Sequence, residues 1–229
     1  MTKKKRPTLP RRMDATAIAD EVGKMIDSRE LRPGDHLREK DLAERFQVSR
    51  GPVREALKIL SSRSQVEIRP NLGATVPVLQ PQDILEIHEI RGSVLRICAK
   101  WAAQRATDKE LDAILAAAQT LKKLAAKGHV EDFLAQAYSW RRMVVAASHS
   151  KRLADTFATH GFGSIAQFVL TSSETGAMMQ RIADLWLECS LALKARDRQT
   201  ASRVIAKEYE HDQEQLERTF AGVLHALGN

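Results

Sequence analysis

The run Asp41-Leu-Ala-Glu-Arg-Phe-Gln-Val-Ser-Arg-Gly-Pro-Val-Arg-Glu-Ala-Leu57 constrains this chain more than any other feature. Leu42 and Phe46 recur at helical spacing in its first half, and Val53 and Leu57 in its second, with Val48 between them. Ala43 is small where two crossing helices come close. Ser49 stands where a cap opens the second helix, and Pro52 falls in that helix's first turn, where its missing N–H costs nothing. The spacing predicts a short helix over about Glu39 to Phe46, a turn at Gln47-Val48-Ser49, and a second helix from Arg50 to about Arg63. This is a helix-turn-helix. Arg50 and Arg54, four apart, share a face at the opening end of the second helix, the end that enters a major groove in such units. Lys40 is placed to reach the nucleic-acid backbone. Gly51, without a side chain, lets the helix start lie against a phosphate.

An isolated arginine pair is more readily an ordinary solvated face. What surrounds this pair favours nucleic acid. Upstream, Ile18, Val22 and Met25-Ile26 predict an amphipathic helix capped by Asp14, ended by the turn Arg32-Pro-Gly-Asp35. Downstream, Val66-Glu-Ile-Arg69 and Ala74-Thr-Val-Pro-Val78 read as strands joined through Pro70-Asn-Leu-Gly73, a hairpin. Formal net charge is +7, and its placement is uneven. Residues 1–79 hold 17 Lys/Arg against 11 Asp/Glu, whereas residues 80–229 hold 19 against 18. A local basic excess favours a polyanionic partner. Residues 1–12 carry six basic residues, two prolines and no acid, and read as a disordered basic tail.

Beyond Pro77 and Pro81 strand signals vanish. Ile84, Ile87, Ile90, Val94, Ile97 and Trp101 recur at three and four, and Thr107-Asp-Lys-Glu110 is a capping box. Breaks near Gly128, Ser148–Ser150, Gly161–Gly163 and Arg196-Asp197 divide the remainder into about six helices. The expected fold is mostly α: an N-terminal winged helix-turn-helix over 13–79 and a C-terminal all-helical bundle over 82–222, joined near 78–82. No apolar run is long enough to span a bilayer, and the basic start has no apolar stretch behind it. Cys98 and Cys189 lie inside apolar helical patterns with no paired spacing, which fits buried thiols in a cytoplasmic protein. No nucleophile–base motif, glycine-rich phosphate loop or paired-carboxylate motif is visible, so no catalytic residue is assigned and an enzyme is disfavoured.

Residues 18–79 resemble the DNA-binding domain of the GntR family of bacterial regulators. The resemblance rests on Ile18-Ala-Asp-Glu21, Leu31-Arg-Pro-Gly-Asp-His-Leu37, Asp41-Leu-Ala-Glu-Arg-Phe46, Val48-Ser-Arg-Gly-Pro-Val-Arg-Glu-Ala-Leu57 and Asn71-Leu-Gly-Ala-Thr-Val76. It implies that Lys40, Arg50, Gly51, Pro52 and Arg54 contact operator DNA, and that Asn71, Leu72 and Gly73 form a wing tip entering the minor groove; Ser49, at the start of the same helix, is taken as a further DNA-binding candidate. One stretch departs: Arg63-Ser-Gln-Val66 stands where the family has a Gly-Leu before the first wing strand. A differently shaped turn is expected there.

The remainder resembles the FadR-like branch, whose helical domain binds a small-molecule effector. The matching pieces are Glu89-Ile-Arg91, Ala102-Ala-Gln-Arg-Ala-Thr-Asp108, Trp140 through Leu153, and Ala192 through Ala201. Many members hold a divalent metal there with one Asp and three His. Those four positions fall on Ala137, Arg141, Trp186 and Glu208 in this chain. No ligand is retained, so neither metal nor other cofactor is expected; His211, one turn past Glu208, leaves only a displaced metal site conceivable. Two readings of these residues stay open. Arg141 supplies the positive charge in place of the metal and holds an organic acid, with Trp186 as floor and Arg91 as second donor. Alternatively, Arg141 pairs with Glu208 and the cavity is closed. The resemblance also implies a homodimer on palindromic operator DNA, acting as a repressor.

Overall fold

The computed structural model describes residues 13–27, 30–69, 73–159 and 175–227. The basic tail read over residues 1–12, the wing-tip residues Asn71 and Leu72, and the break at Gly161–Gly163 lie outside them. The described chain is mainly helical with one small sheet.

The first unit is built from α1 (Ala15–Asp27), β1 (His36–Leu37), α2 (Glu39–Phe46), α3 (Arg50–Ser62), β2 (Glu67–Arg69) and β3 (Gly73–Thr75). Asp14 opens α1 as expected, its Oδ1 accepting the Ala17 N–H at 2.8 Å. Gln47 turns left-handed (φ 54°) and closes α2, its N–H donating to the Glu44 carbonyl. The apolar stripes then meet: Ile18, Val22 and Ile26 of α1 pack on Val53, Leu57 and Leu60 of α3, with Leu42, Val66 and Val76 completing the core.

The sheet is antiparallel in the order β1-β3-β2, with Leu37 opposite Ala74 and Ile68 opposite Ala74 on its other side. Strand β1 was not expected. It has two residues, too few for any alternation to show, and it exists because β3 offers a paired edge. The stretch Arg63-Ser-Gln-Val66 leads from α3 into the first wing strand. Ser64 adopts the left-handed conformation (φ 53°) that glycine takes without steric cost. Gln65 is buried, its amide packed where Gly23 of α1 leaves room.

The second unit comprises α4 (Pro81–Arg105), α5 (Asp108–Lys127), α6 (Val130–Ala147), α7 (Lys151–Thr159), α8 (Thr175–Lys194) and α9 (Arg198–Leu227). The capping box at α5 forms as read: Thr107 Oγ1 accepts the Glu110 N–H, and Glu110 Oε2 accepts the Thr107 N–H at 2.7 Å. Left-handed Gly128, His149 and Arg196 mark the expected breaks. The long helices α4 and α9 run antiparallel, with Ile84 and Leu85 against Leu216 and Phe220 at one end and Gly92 against Tyr209 further along. A Cβ on Gly92 would lie 2.5–2.8 Å from Tyr209 ring and Cβ atoms, so glycine sets this approach. Both cysteines are free and buried, and burial pushes the Cys98 thiol up to about 12. No helix among the described residues is long and apolar enough to cross a membrane.

Candidate nucleic-acid interface and ligand site

Helix α3 turns its rear face, Val53, Ala56, Leu57 and Leu60, into the core. Its opening therefore faces outward. Lys40, Ser49, Arg50, Gly51 and Arg54 are exposed and Pro52 is half-buried in the first turn. Ser49 occupies the N-cap position with extended backbone, but its side chain makes no capping hydrogen bond, contrary to the sequence reading. The first N–H groups of α3 thus keep their donors for an outside acceptor. A Cβ on Gly51 or Gly73 would meet nothing within 4 Å, so the protein's own packing does not require glycine at either site. Gly73 carries φ 81°, which supplies a conformational reason for glycine where β3 begins.

Arg54 is not loose. Its Nε and Nη2 donate to the two carboxylate oxygens of Glu39 at 2.8 and 2.9 Å, a fork across the α2–α3 crossing. The guanidinium holds the Glu39 carboxyl below its ordinary range. Lys40 makes only a long contact with Glu44, 3.8 Å. A surface groove of about 560 Å³ runs between these residues and the wing, lined by Glu39, Arg54, Lys58, Ile68 and Gly73 among others. Glu39 had no signal in the sequence beyond its place in the first turn of α2.

In the helical unit the structure brings Arg141, Trp186 and Glu208 together. Arg141 Nη2 donates to Glu208 Oε1 at 3.3 Å, and Trp186 Nε1 donates to Glu208 Oε2 at 2.6 Å. The Arg141 guanidinium lies 4.2 Å above the Trp186 ring, which stacks on Trp140 at 4.4 Å. All three residues are buried. Burial raises the Glu208 carboxyl, opposed by the Arg141 charge and the Trp186 N–H. Beside this pair, Arg181 bonds Asp212, and His88 Nε2 lies 3.3 Å from the Tyr209 carbonyl. Burial pulls His88 down to about 4, so it is neutral near pH 7. Sequence periodicity missed these companions, because inward charges read only as gaps in an apolar stripe.

The family's metal does not fit here. Ala137 has no donor atom, Trp186 presents an N–H rather than a lone pair, and both Glu208 oxygens are engaged by Arg141 and Trp186. His211 is exposed, and no group of three or more His, Cys, Asp or Glu among the described residues is arranged to hold a metal ion.

Arg91 lines a cleft to which Arg141 does not contribute. It is buried with its guanidinium 4.1 Å over the Phe157 ring, on the wall of a cleft of about 310 Å³ between the two units. Across that cleft stand Asp20, Gly23, Arg63 and Gln65 of the winged unit, with Tyr138 and Arg142 beside Arg91. Arg63 Nη1 donates to Asp20 at 2.8 Å.

Comparison with known proteins agrees with this layout. Residues 14–76 match the family described as bacterial regulatory proteins, gntR family, and residues 86–211 match the FCD domain. The chain is 34% identical over 87 residues to the Nta operon transcriptional regulator of Aminobacter aminovorans, covering 38% of this chain and 41% of that protein. It thus spans about two fifths of that relative's length. It is 26% identical over 166 residues to the "Probable D-xylose utilization operon transcriptional repressor" of Paenarthrobacter nicotinovorans, covering 72% and 73% of the two chains. The solved structure of Escherichia coli McbR/YncC superposes with a TM-score of 0.75 at 22% identity, over 91% of this chain and 99% of that one. With a winged helix-turn-helix matching one domain and a helical unit matching the other, the chain belongs to the GntR family of bacterial transcriptional regulators, in the branch that carries an FCD domain.

Proposed function

We propose that this chain is a cytoplasmic repressor that binds operator DNA as a homodimer and is released or retained by a small organic acid acting on its helical domain. Residues 13–79 are the reading unit and residues 82–222 the sensing and dimerising unit. The observation that carries the DNA reading is the opening of α3. There Arg50 and Arg54 stand exposed beside uncapped N–H groups, with a groove leading to the wing. The relative from Paenarthrobacter is described as a repressor, which supports that direction of control. A two-fold dimer suits a palindromic site, one helix in each half-site.

The effector reading rests on Arg141. An incoming carboxylate takes the guanidinium from Glu208, and Glu208, already raised by burial, takes up a proton so that no uncompensated charge stays buried. Arg91, on the interdomain cleft, lies between this cluster and the winged unit. A second reading is favoured by the closure of the Arg141–Glu208 pair under Trp186: the helical unit is then a dimerisation module without a ligand. Selection of bound duplexes from a random pool by the full chain tests the first half of the proposal. A thermal-shift screen of organic acids, repeated on Arg141→Ala, tests the second. An acid that raises the melting temperature of the wild type but not of the variant supports effector binding at Arg141. Enrichment of no sequence refutes the DNA reading, and a panel with no stabilising acid favours the dimerisation module.

A further inference from the structure

We propose that Glu39 is a positioning residue for sequence reading: it grips Arg54 from the side and presents the outer edge of that guanidinium to a guanine. This rests on the proposed DNA-reading role of α3 and deepens it.

An arginine side chain has five N–H donors in one plane. Glu39 engages the side-on pair, Nε–H and one hydrogen of Nη2, with one carboxylate oxygen each. The end-on pair, one hydrogen each on Nη1 and Nη2, is left over. That pair has the spacing that matches O6 and N7 of guanine in the major groove. Arg54 is 61% exposed at its side chain and Glu39 only 32%, so the anchored carboxylate lies on the protein side and the guanidinium on the groove side. Glu39 is the first residue of α2 and Arg54 lies one turn into α3, so the fork spans two helices whose crossing the core already fixes.

The charge balance sharpens the assignment. A phosphate approaching Arg54 meets the Glu39 carboxylate at close range, and the two negative charges repel. A guanine edge carries lone pairs without a net charge and escapes that repulsion. Arg54 is therefore biased toward a base rather than the backbone. Arg50 feels Glu39 only through space, with no carboxylate at hydrogen-bond distance among the described residues, and its guanidinium stays available to either target. Two arginines on one face are thereby given different tasks by a residue on the neighbouring helix.

The experiment uses the full-length chain. Its preferred duplex is selected from a random pool, and each guanine is then replaced in turn by 7-deazaguanine, which lacks the N7 acceptor. Dissociation constants are read by fluorescence anisotropy for wild type, Glu39→Gln, Arg54→Ala and the double variant, with circular dichroism confirming that each is folded. One guanine is expected at which 7-deaza replacement weakens wild-type binding by ~10-fold. In Glu39→Gln that penalty should shrink to less than ~3-fold while affinity for a scrambled duplex rises, since a repelling charge is gone. Arg54→Ala should lose the same penalty, and the double variant should lose no more than Arg54→Ala alone. The proposal is overturned if Glu39→Gln strengthens binding to every duplex equally and keeps the penalty, or if no guanine depends on Arg54. A wild-type chain that enriches no sequence would overturn the DNA-reading assignment itself, before any variant is made.

Discussion

Replacing Arg141 with methionine removes the counter-charge of Glu208 while keeping most of the side-chain volume. Arg141 and Glu208 are 7% and 1% exposed at their side chains, so the carboxylate left behind has only the Trp186 N–H to bond it. Breaking a buried pair in this way costs about 3–5 kcal/mol. Loss of the stacking of Arg141 on Trp186 adds about 0.5–2 kcal/mol. The orphaned carboxylate has one escape, which is to bind a proton. Relative to an ordinary glutamate, that costs about 1.4 kcal/mol for each pH unit above its usual range. The deficit of Arg141→Met should therefore be about 3.5–7 kcal/mol near pH 8 and shrink steadily toward pH 5. The double variant Arg141→Met/Glu208→Gln buries no charge and keeps an acceptor for Trp186, and should regain at least about 2 kcal/mol. The three tryptophans, Trp101, Trp140 and Trp186, all lie in the helical unit, so urea unfolding followed by tryptophan fluorescence reports that unit alone. A chelator should leave the unfolding midpoint of the wild type unchanged, because Ala137 and Trp186 offer no metal lone pair and both Glu208 oxygens are engaged. An Arg141→Met deficit below about 1 kcal/mol, equal at pH 5 and pH 8, would refute the reasoning.

Other consequences are simpler to state. His88 is held near 4 against an ordinary value of 6.5, so its contribution is complete above pH 6.5 and is lost as pH falls toward 4, by up to about 3 kcal/mol. Glu208 acts with the opposite sign, favouring the fold below its ordinary 4.5 and weakening it as pH rises through its raised value. A His88→Gln variant should accordingly lose less stability than wild type on acidification from pH 6.5 to 4, measured by the urea midpoint. Ser64→Gly relieves a left-handed serine on an exposed turn, and should stabilise the winged unit by about 0.5 kcal/mol after the added freedom of the unfolded glycine is subtracted. Circular dichroism at 222 nm reads this, since that unit contains no tryptophan. Gly92→Ala gains about 1 kcal/mol of helix propensity but drives a methyl into the root of the Tyr209 side chain. The clash wins, and a net loss of about 1–3 kcal/mol is expected in the fluorescence-monitored unfolding curve.

What could be read from the sequence was mostly local. The Asp14 cap, the Thr107–Glu110 capping box and the bounds of α2 follow from residues a turn apart, and all three form as read. Strand β1 escaped because His36 and Leu37 become a strand only by pairing with Thr75 and Ala74 far along the chain. Within Arg63-Ser-Gln-Val66 nothing in the sequence hinted that Ser64 takes up the left-handed conformation or that the Gln65 amide is buried beneath α1. At the candidate sites, resemblance located Arg141, Trp186 and Glu208, which the fold brings into mutual contact. It did not separate Arg91, whose helix turns it to the cleft wall under Phe157. Nor could it find Glu39, since a glutamate in a first turn is ordinary and its partner comes from the next helix.

The most direct test of the DNA-reading claim compares Arg54→Ala with wild type on the selected duplex and on a scrambled one at the same salt concentration. Loss of one base contact worth about 1–3 kcal/mol should weaken binding to the selected duplex by ~5–150-fold, with a much smaller change on the scrambled one. Equal affinities for the two proteins on both duplexes would contradict the placement of the α3 opening in the groove.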